Sequence, residues 1–478
     1  MPSVERAAPD GRASPSSPQS AAALGRTGAG ARDPAEMALF ACALLLLVVS
    51  LIFGGASQGN ALSLAAVEVA SLPLLFISLF LLFAGRAPRG VIAPLALLAL
   101  IVATPLLQLI PLPPEVWTSL PGRAPVMQVL DLAGLGRPSL PLSLAPEATW
   151  RAALALAPPA AMFLATIQLA PSRRDIMAGC WLGLAAVSIG LGLMQVLGGP
   201  SSALYFYEIT NVDSPVGFFS NRNHLATLLL CLSPVAAVFA ARFPGRFDDA
   251  RAVLPVLAAL YLCVAVLGVA ATRSRAGIFL MGLALAGALA IAVRSGALRR
   301  HWRAMIAIGL GVASAVAAVL ALGLSPILER FSGHGELRFE GWPIVLKLAQ
   351  TYLPLGAGVG AFQTLYPTVE PLTQVTTVYF NHAHNDYLEL WLETGLVGAF
   401  LLAAFVVWFL ARFVAAWSVS AGRGGDELPA GCTLLILLVL GHSLLDYPLR
   451  TEAIAVLFAF ACGVIATPAV RRLPPHRG

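Results

Sequence analysis

Residues 379–398 read Tyr-Phe-Asn-His-Ala-His-Asn-Asp-Tyr-Leu-Glu-Leu-Trp-Leu-Glu-Thr-Gly-Leu-Val-Gly, and they lead directly into a long apolar segment. Two histidines, an Asn-Asp pair and two glutamates therefore precede or begin a segment that is apolar enough to enter a bilayer. Ionisable groups at such a place cost free energy unless they are used or well solvated. This stretch predicts a reactive polar edge at the end of a membrane helix.

The composition of the whole chain is that of a helical membrane protein with many spans. Of its 478 residues, 58% are hydrophobic and 11% are charged, whereas soluble domains carry about 25% charged residues. A membrane helix needs about 20 apolar residues. Segments near that length lie at roughly 37–54, 62–84, 91–111, 149–170, 175–197, 223–241, 252–271, 276–293, 304–324, 387–411, 429–445 and 452–468. We therefore predict an all-α polytopic fold with about twelve transmembrane helices.

Charge and composition together predict the organisation of the chain. Residues 1–36 are rich in Ala, Gly, Pro, Ser and Arg and predict a disordered cytoplasmic tail. Residues 37–468 are the predicted transmembrane domain, and residues 469–478 are a second cytoplasmic tail. A cytoplasmic N-terminus puts most of the short basic clusters inside, so the positive-inside rule favours two cytoplasmic termini. The net charge of +6 is therefore interpreted as a topology signal and not as a nucleic-acid surface.

Two arginines oppose this topology rule. The short link Thr272-Arg273-Ser274-Arg275 falls on the predicted outer side and is followed at once by an apolar helix. The alternative interpretation is a pair of arginines that snorkel to the membrane interface. A second basic position, Arg222 with its neighbour Asn223, precedes another apolar segment on the same side. Asparagine at a helix start is also an ordinary cap, so residues 221–223 either bind phosphate or cap the helix.

Two outer loops are long enough to carry structure of their own. The larger spans residues 325–384 and has room for a small unit outside the membrane. Within it, residues 337–349 predict an amphipathic helix, and Gly356 to Gly360 predict a tight turn. The proline-rich loop 112–148 predicts a short helix on the membrane surface.

The outer side of a Gram-negative inner membrane is the periplasm, where free nucleotides are not expected. The energy for bond formation must then come with the substrate, as it does in a lipid-linked diphosphate sugar. A polyprenyl-diphosphate leaving group needs fixed positive charge on its phosphate oxygens. Arginine offers forked donors and stays charged at any working pH. Arg273 and Arg275, together with Arg222 and Arg338, are the candidates on that side.

The acceptor in such a transfer is a hydroxyl group, and its activation needs a base. Histidine is the natural candidate because its pKa lies near neutral pH. His384 is followed by Asn385 and Asp386, which are placed to orient the histidine or to bind the acceptor. Taken alone, a histidine here would be a structural or helix-capping residue as readily as a base.

A metal site is the competing mechanism. His382, His384 and Asp386 are closely spaced, as ligands of zinc or manganese can be. The chain has no HExxH or DxD motif, however, and the two histidines would diverge on a helix. The six cysteines all lie in apolar segments without a metal-binding spacing. We predict neither a metal nor a cofactor, and a metal site remains the less favoured alternative.

Several stretches, taken in order, resemble one known family. They lie between residues 217 and 398 and comprise Gly217 to Ala226, Thr272 to Gly277, Arg338 to Trp342, Gly356 to Phe362, His382 to Leu388 and Glu393 to Gly398. In their order and their placement around the predicted helices, they resemble the O-antigen ligase and polymerase superfamily of bacterial membrane glycosyltransferases. That family has a GT-C-like helical fold.

The resemblance implies roles for particular residues. The family's pattern of a histidine followed by a glycine is met by His384 and Gly395, so His384 corresponds to the essential histidine that activates the acceptor. Arg275 and Arg338 correspond to the essential outer arginines that hold the diphosphate. The family's loop arginine is often followed four residues later by leucine, whereas this chain has Trp342 four residues after Arg338. The resemblance further implies a polyprenyl-diphosphate glycan donor, an acceptor on lipid A core or another glycan, and no metal.

Other functions remain open at this point. The same donor chemistry serves a ligase, a polymerase of O-antigen or exopolysaccharide repeats, and a protein O-oligosaccharyltransferase. These enzymes differ in their acceptor surfaces, which we predict at the loops 112–148 and 325–384. A transporter of lipid-linked glycans would show inverted repeats and charged or broken helices near the midplane. A scaffold would leave the arginines of 272–275 unexplained. Among the remaining polar groups, Asp446 and Arg450 are expected to pair with each other, and Gly395 and Gly398 to permit close helix packing.

Overall fold

The computed structural model describes residues 33–56, 60–86, 88, 90–244, 249–332, 337–373, 375, 380–418 and 427–467, with the backbone alone for 318–332 and 337–338. The predicted tail 469–478, and all of the predicted tail 1–36 except its end, lie outside the described residues.

The described part of the chain is mostly helical, with only two short strands, as predicted for an all-α fold. Its α-helices are α1 Pro34–Phe53, α2 Ala61–Leu81, α3 Ile92–Gln108, α4 Pro114–Trp117, α5 Ala124–Leu132, α6 Pro146–Leu154, α7 Ala157–Gln168, α8 Pro171–Leu197, α9 Arg222–Ala240, α10 Val253–Thr272, α11 Arg275–Arg294, α12 Ala297–Arg300, α13 Trp302–Ser332, α14 Leu337–Thr351, α15 Phe362–Leu365, α16 Asp386–Ser418, α17 Leu428–His442 and α18 Glu452–Ala466. Two short strands, β1 Pro111–Leu112 and β2 Leu140–Pro141, pair antiparallel.

Eight helical segments are long and apolar enough to cross a bilayer: Pro34–Phe53, Ala61–Arg86, Pro146–Gln168, Pro171–Leu197, Arg222–Ala240, Ala250–Thr272, Arg275–Arg294 and Asp386–Ser418. Shorter apolar helices, α3, the described part of α13, α17 and α18, lie at the other positions where spans are expected. The chain is therefore a multi-pass membrane protein. The figure of about twelve spans stays a prediction.

Helix α9 is the central element of the membrane domain. Every side chain from His224 to Ala240 is buried, and α10, α11 and α17 all pack against this helix. Asn221 caps its start, because the Asn221 Oδ1 atom accepts a hydrogen bond of 2.9 Å from the Asn223 amide. An apolar helix that is buried all round belongs to the interior of a large bundle.

The predicted tight link between two spans is confirmed. Helix α10 ends at Thr272 and α11 begins at Arg275. Arg273 turns the chain with a φ of 52°, and Ser274 caps α11 by accepting a hydrogen bond of 3.1 Å from the Gly277 amide. A Cβ atom on Gly277 would lie 3.0 Å from the Ala226 side chain. The arginine link therefore lies beside the first turns of α9.

The predicted outer loop 325–384 begins later than expected. Helix α13 continues to Ser332, so residues 325–332 are helical and not part of a loop. The sequence from 325 to 332 keeps apolar residues at Ile327, Leu328 and Phe331, a spacing that extends the apolar face of a helix. The predicted amphipathic helix is confirmed as α14.

A second, smaller core lies outside the main one. It joins α14 to the turn Gly356 to Gly360 and to the start of α16, through buried side chains that include Val345, Phe362, Tyr366 and Leu392. Gly356, Gly358 and Gly360 all have positive φ, as the predicted tight turn requires. The Leu144 amide donates to the Ala357 carbonyl at 2.8 Å. The two predicted acceptor loops are therefore in contact.

Helix α16 is broken at Gly395, where φ is 55° and ψ is −135°. The Leu396 amide donates to the Pro354 carbonyl at 2.8 Å, and a Cβ atom on Gly395 would lie 2.2 Å from that carbonyl oxygen. We expected Gly395 to permit close packing of regular helices. Its backbone conformation is what requires glycine, since other residues rarely adopt a positive φ.

Replacing Gly395 is expected to destabilise the protein. Gly395→Ala would impose about 1–3 kcal/mol of backbone strain, in addition to the clash with Pro354. Gly282→Ala is the matched control, because a Cβ atom there meets nothing within 4 Å and alanine favours a helix interior. Thermal unfolding in detergent should show a lower midpoint for Gly395→Ala only. Equal midpoints for the two variants would contradict the explanation.

Candidate active site

Residues 380–385 form the loop that precedes α16, and the amide and the carbonyl of Ala383 in this loop are both hydrogen-bonded. The Ala383 amide donates to Glu389 Oε2 at 2.9 Å, and the Ala383 carbonyl accepts from the Trp342 indole at 3.0 Å. Trp342 is the residue at which the chain departs from the family pattern, and here it fastens α14 to this loop. We call residues 380–385 the base loop, because they contain His384, the predicted base.

His384 adopts a backbone conformation that is uncommon for a residue with a side chain, with a φ of 49°. Its Nδ1 atom lies 2.9 Å from the His382 carbonyl oxygen. A carbonyl oxygen only accepts hydrogen bonds, so Nδ1 carries the proton in this arrangement. In the neutral ring, the lone pair therefore resides on Nε2, which is the tautomer that a base working through Nε2 needs.

Three imidazole rings surround the buried Tyr447 ring. The centroid distances from Tyr447 are 4.3 Å to His382, 5.0 Å to His384 and 5.2 Å to His224. The side-chain Nδ2 of Asn381 donates to the Tyr447 hydroxyl at 3.1 Å. Tyr447 therefore fixes the orientation of the base loop against the start of α9.

The start of α9 and the end of α17 are joined by polar contacts. Asn223 Nδ2 donates to Asp446 Oδ2 at 2.5 Å, and Asp446 Oδ1 accepts from the Tyr447 amide at 3.0 Å. One turn further along α9, Thr227 Oγ1 bonds to Nδ1 of the buried His442. Asn223, a predicted substrate-binding residue, thus lies at the same end of the bundle as the base loop.

Asn385 and Asp386, also predicted to bind substrate, make structural contacts. Asn385 Oδ1 caps α16 by accepting from the Tyr387 and Leu388 amides at 3.0 and 3.1 Å. Asp386 Oδ2 accepts from the Ser443 hydroxyl at 2.8 Å. These contacts tie α16 to the end of α17, and the predicted binding roles of both residues stay predictions.

Arg450 lies between three carboxylates of one helix. Its guanidinium nitrogens are 2.8 Å from Glu393, 3.4 Å from Glu389 and 3.7 Å from Asp386. Burial alone would lower the pKa of Arg450, but these carboxylates hold the pKa above its ordinary value. The sequence predicted a pair between Arg450 and Asp446, whereas the ion pairs of Arg450 run to α16.

The four predicted arginines differ in what surrounds them. Arg222 is half-buried, and its Nη1 donates to the Ser214 hydroxyl at 3.1 Å. Arg273 is exposed and Arg275 is half-buried at the start of α11. Arg338 lies one turn before Trp342 in α14, and its side chain is outside the described part. Because Gly277 packs on Ala226, the structure brings Arg222 and Arg275 to neighbouring helix ends.

Sequence analysis missed the roles of Glu389, Glu393, Arg450, Trp342 and Tyr447. Asp386, Glu389 and Glu393 are spaced i, i+3 and i+7, which puts them on one face of a helix. Charged residues inside a membrane helix generally face the bundle interior and pair with one another. That spacing could have indicated a buried cluster of carboxylates, although their partner Arg450 lies far along the chain.

No group of three or more His, Cys, Asp or Glu residues with the geometry of a metal site occurs in the described part of the chain. The histidines that surround Tyr447 bond to a carbonyl, a carboxylate and a hydroxyl: His384 to the His382 carbonyl, His382 to Glu389 at 2.8 Å, and His224 to Thr451 at 2.9 Å.

The fold and the site define a multi-pass helical membrane protein with a buried polar centre at one end of its bundle. Residues 257–403 match the family described as O-antigen ligase. This match confirms the predicted resemblance to the O-antigen ligase and polymerase superfamily, and it supports a membrane glycosyltransferase in general. It covers most of α10, all of α11 and α14, and the base loop, and it ends before Arg450. No curated protein matches the chain.

Proposed function

We propose that this protein moves a glycan from a polyprenyl-diphosphate carrier to an acceptor hydroxyl at the periplasmic face of the inner membrane, as an O-antigen ligase with lipid A core as acceptor. The observation that carries the proposal is the His384 ring. Its Nδ1–H faces a carbonyl oxygen, so Nε2 has the lone pair that a general base needs.

The reaction assigns each group one task. The acceptor oxygen attacks the anomeric carbon, and the bond from that carbon to the diphosphate oxygen breaks. The acceptor proton passes to His384 Nε2. The polyprenyl diphosphate leaves with the bonding electron pair, and Arg275 and Arg338 stabilise the charge that develops on its oxygens. Arg222 and Arg273, together with Asn223, extend the donor site along the outer ends of α9 and α11.

The positions of Arg222 and Arg275 support a donor site at the outer ends of α9 and α11. Arg222 and Arg275 each begin a helix, and helix starts favour phosphate groups because their amides and dipoles point toward the anion. Basic residues that remain on the outer side oppose the topology rule, so a role in binding anionic substrate accounts for their position. The proposed site needs neither a metal nor a cofactor.

Deleting the gene is expected to change the cell-envelope glycans in a way that identifies the acceptor. A ligase deletion leaves long glycan on the polyprenyl carrier and bare lipid A core, and the wild-type gene restores attachment. Gel electrophoresis of lipopolysaccharide and of the lipid-linked pool measures both. Single repeats without long chains would instead identify a polymerase. Unchanged lipid-linked and attached glycans would contradict transfer onto envelope glycans.

A further inference from the structure

Three carboxylates on one face of α16 converge on a single arginine. Asp386, Glu389 and Glu393 lie on consecutive turns, and Arg450 approaches all three. The side chains of Glu389 and Glu393 are each only 1% exposed. The proposed transfer step uses none of these four residues.

Each carboxylate also has a second partner, from a different segment. Asp386 accepts from Ser443 at the end of α17. Glu393 Oε1 accepts from the Gly360 amide at 2.8 Å, in the turn that begins the small core. Glu389 bonds to the base loop. Arg450 is therefore the point at which the end of α17, the glycine turn and the base loop are joined.

Glu389 holds the base loop through two contacts. Its Oε1 lies 2.8 Å from His382 Nδ1, and its Oε2 accepts from the Ala383 amide at 2.9 Å. His382 in turn supplies the carbonyl oxygen that fixes the His384 ring. A chain of direct contacts therefore runs from Arg450 through Glu389 and His382 to His384.

We propose that Glu389 and Arg450 are positioning residues that set the His384 ring for proton abstraction. This inference rests on the proposed function, because it assigns the pair a task only if His384 is the base. The backbone of His384 has a positive φ of 49°, a conformation that costs free energy unless its surroundings enforce it. The Glu389 contacts on the two preceding residues provide that enforcement.

A purely stabilising role explains the pair less well. Buried ion pairs are weak contributors to stability, because the desolvation of both charges offsets much of their attraction. Glu389 and Arg450 do, however, fix the position of the base loop. A displacement of about 1 Å in a reacting group costs about 100-fold in rate, so a loop held by Glu389 gains its value in the transfer step.

The test uses full-length protein in lipid nanodiscs. The donor is a polyprenyl-diphosphate-linked oligosaccharide, and the acceptor is either rough lipopolysaccharide or a second donor molecule, whichever the wild type uses. Titration with the donor gives the number of folded donor-binding sites and the donor dissociation constant. Transfer is then expressed as kcat per donor-binding site. Glu427→Gln is the control, since Glu427 forms a buried ion pair of 2.8 Å with Arg294 at the end of α11 opposite Arg275.

Glu389→Gln is expected to lower kcat per site about 100-fold, with the donor dissociation constant unchanged. Arg450→Lys keeps the positive charge but lacks the guanidinium that reaches all three carboxylates. It should also lower kcat per site about 100-fold. Unchanged kcat per site in both variants would overturn the proposal, as would a parallel loss of donor affinity. If Glu389→Gln binds no donor, Arg450→Lys decides, and failure of both to bind would assign the pair to folding.

His384→Ala in the same assay tests the proposed base separately from the positioning role of Glu389 and Arg450. Full transfer by His384→Ala would remove the proposed base, and the positioning role with it. Loss of transfer in His384→Ala with full kcat in Glu389→Gln would leave the base in place and remove only the positioning role.

Discussion

His384→Ala is expected to lower glycan transfer by about 10²–10⁴-fold, the range that one general base contributes. The reason is local: the His382 carbonyl fixes the proton on His384 Nδ1, and this leaves Nε2 as the basic atom. Alanine removes the base but leaves the donor arginines in place. The transfer rate should therefore fall while donor binding persists, and the assay on nanodiscs measures both.

His384→Asn is the sharper form of this test. Asparagine tolerates a positive φ better than most residues, so it should preserve the base loop, yet its amide cannot take up a proton. His301→Ala serves as a histidine control, because His301 packs on Phe243 between α12 and α13, away from the base loop. Transfer by His384→Asn at the wild-type rate would exclude His384 as the base.

The helices could be predicted from the sequence because apolar length is a one-dimensional signal. The link Thr272 to Arg275 was located for the same reason, since two long apolar segments left only a few residues between them. The end of α13 was placed too early, because the continuous apolar run stops at residue 324, although Ile327, Leu328 and Phe331 continue one apolar face of the helix. Glycine at 395 was noticed, but its positive φ depends on the contact with Pro354, which no local pattern encodes.

The candidate site shows the same division. His384, Arg273 and Arg275 could be singled out because polar groups are conspicuous beside apolar segments. The partner of Glu389 and Glu393 could not be chosen from the sequence, because Arg450 lies on the far side of α17 and nearer to Asp446 along the chain. Pairing across helices depends on how the bundle packs, and spacing along the chain does not fix that packing.

Replacing Arg275 is expected to have the second large effect. Arg275→Gln should lower the transfer rate by about 10²–10³-fold, the loss that follows when one preorganised donor to a developing charge is removed. Arg275 is the first residue of α11, and a cation at a helix start is unfavourable by about 0.3–1 kcal/mol. In the predicted topology, Arg275 also opposes the positive-inside rule. Binding of a diphosphate would offset both costs.

Arg275→Lys separates charge from geometry. Lysine keeps the positive charge but lacks the planar fork that grips two oxygens, so an intermediate rate is expected. Arg242→Gln is the control, because Arg242 pairs with Asp175 at 3.0 Å just beyond the end of α9 opposite Arg222. Transfer rates and donor dissociation constants are measured for each variant with the polyprenyl-diphosphate-linked oligosaccharide.

The effect of Arg275→Gln on the transfer rate should be larger than its effect on the donor dissociation constant. The diphosphate gains negative charge on its bridging oxygen only as the glycosidic bond breaks, so an arginine aimed at that oxygen should affect the rate more than the donor dissociation constant. Equal losses in rate and affinity would mean that Arg275 only binds the donor. A full rate in Arg275→Gln together with an inactive Arg273→Gln would move the diphosphate to the exposed neighbour at the same turn.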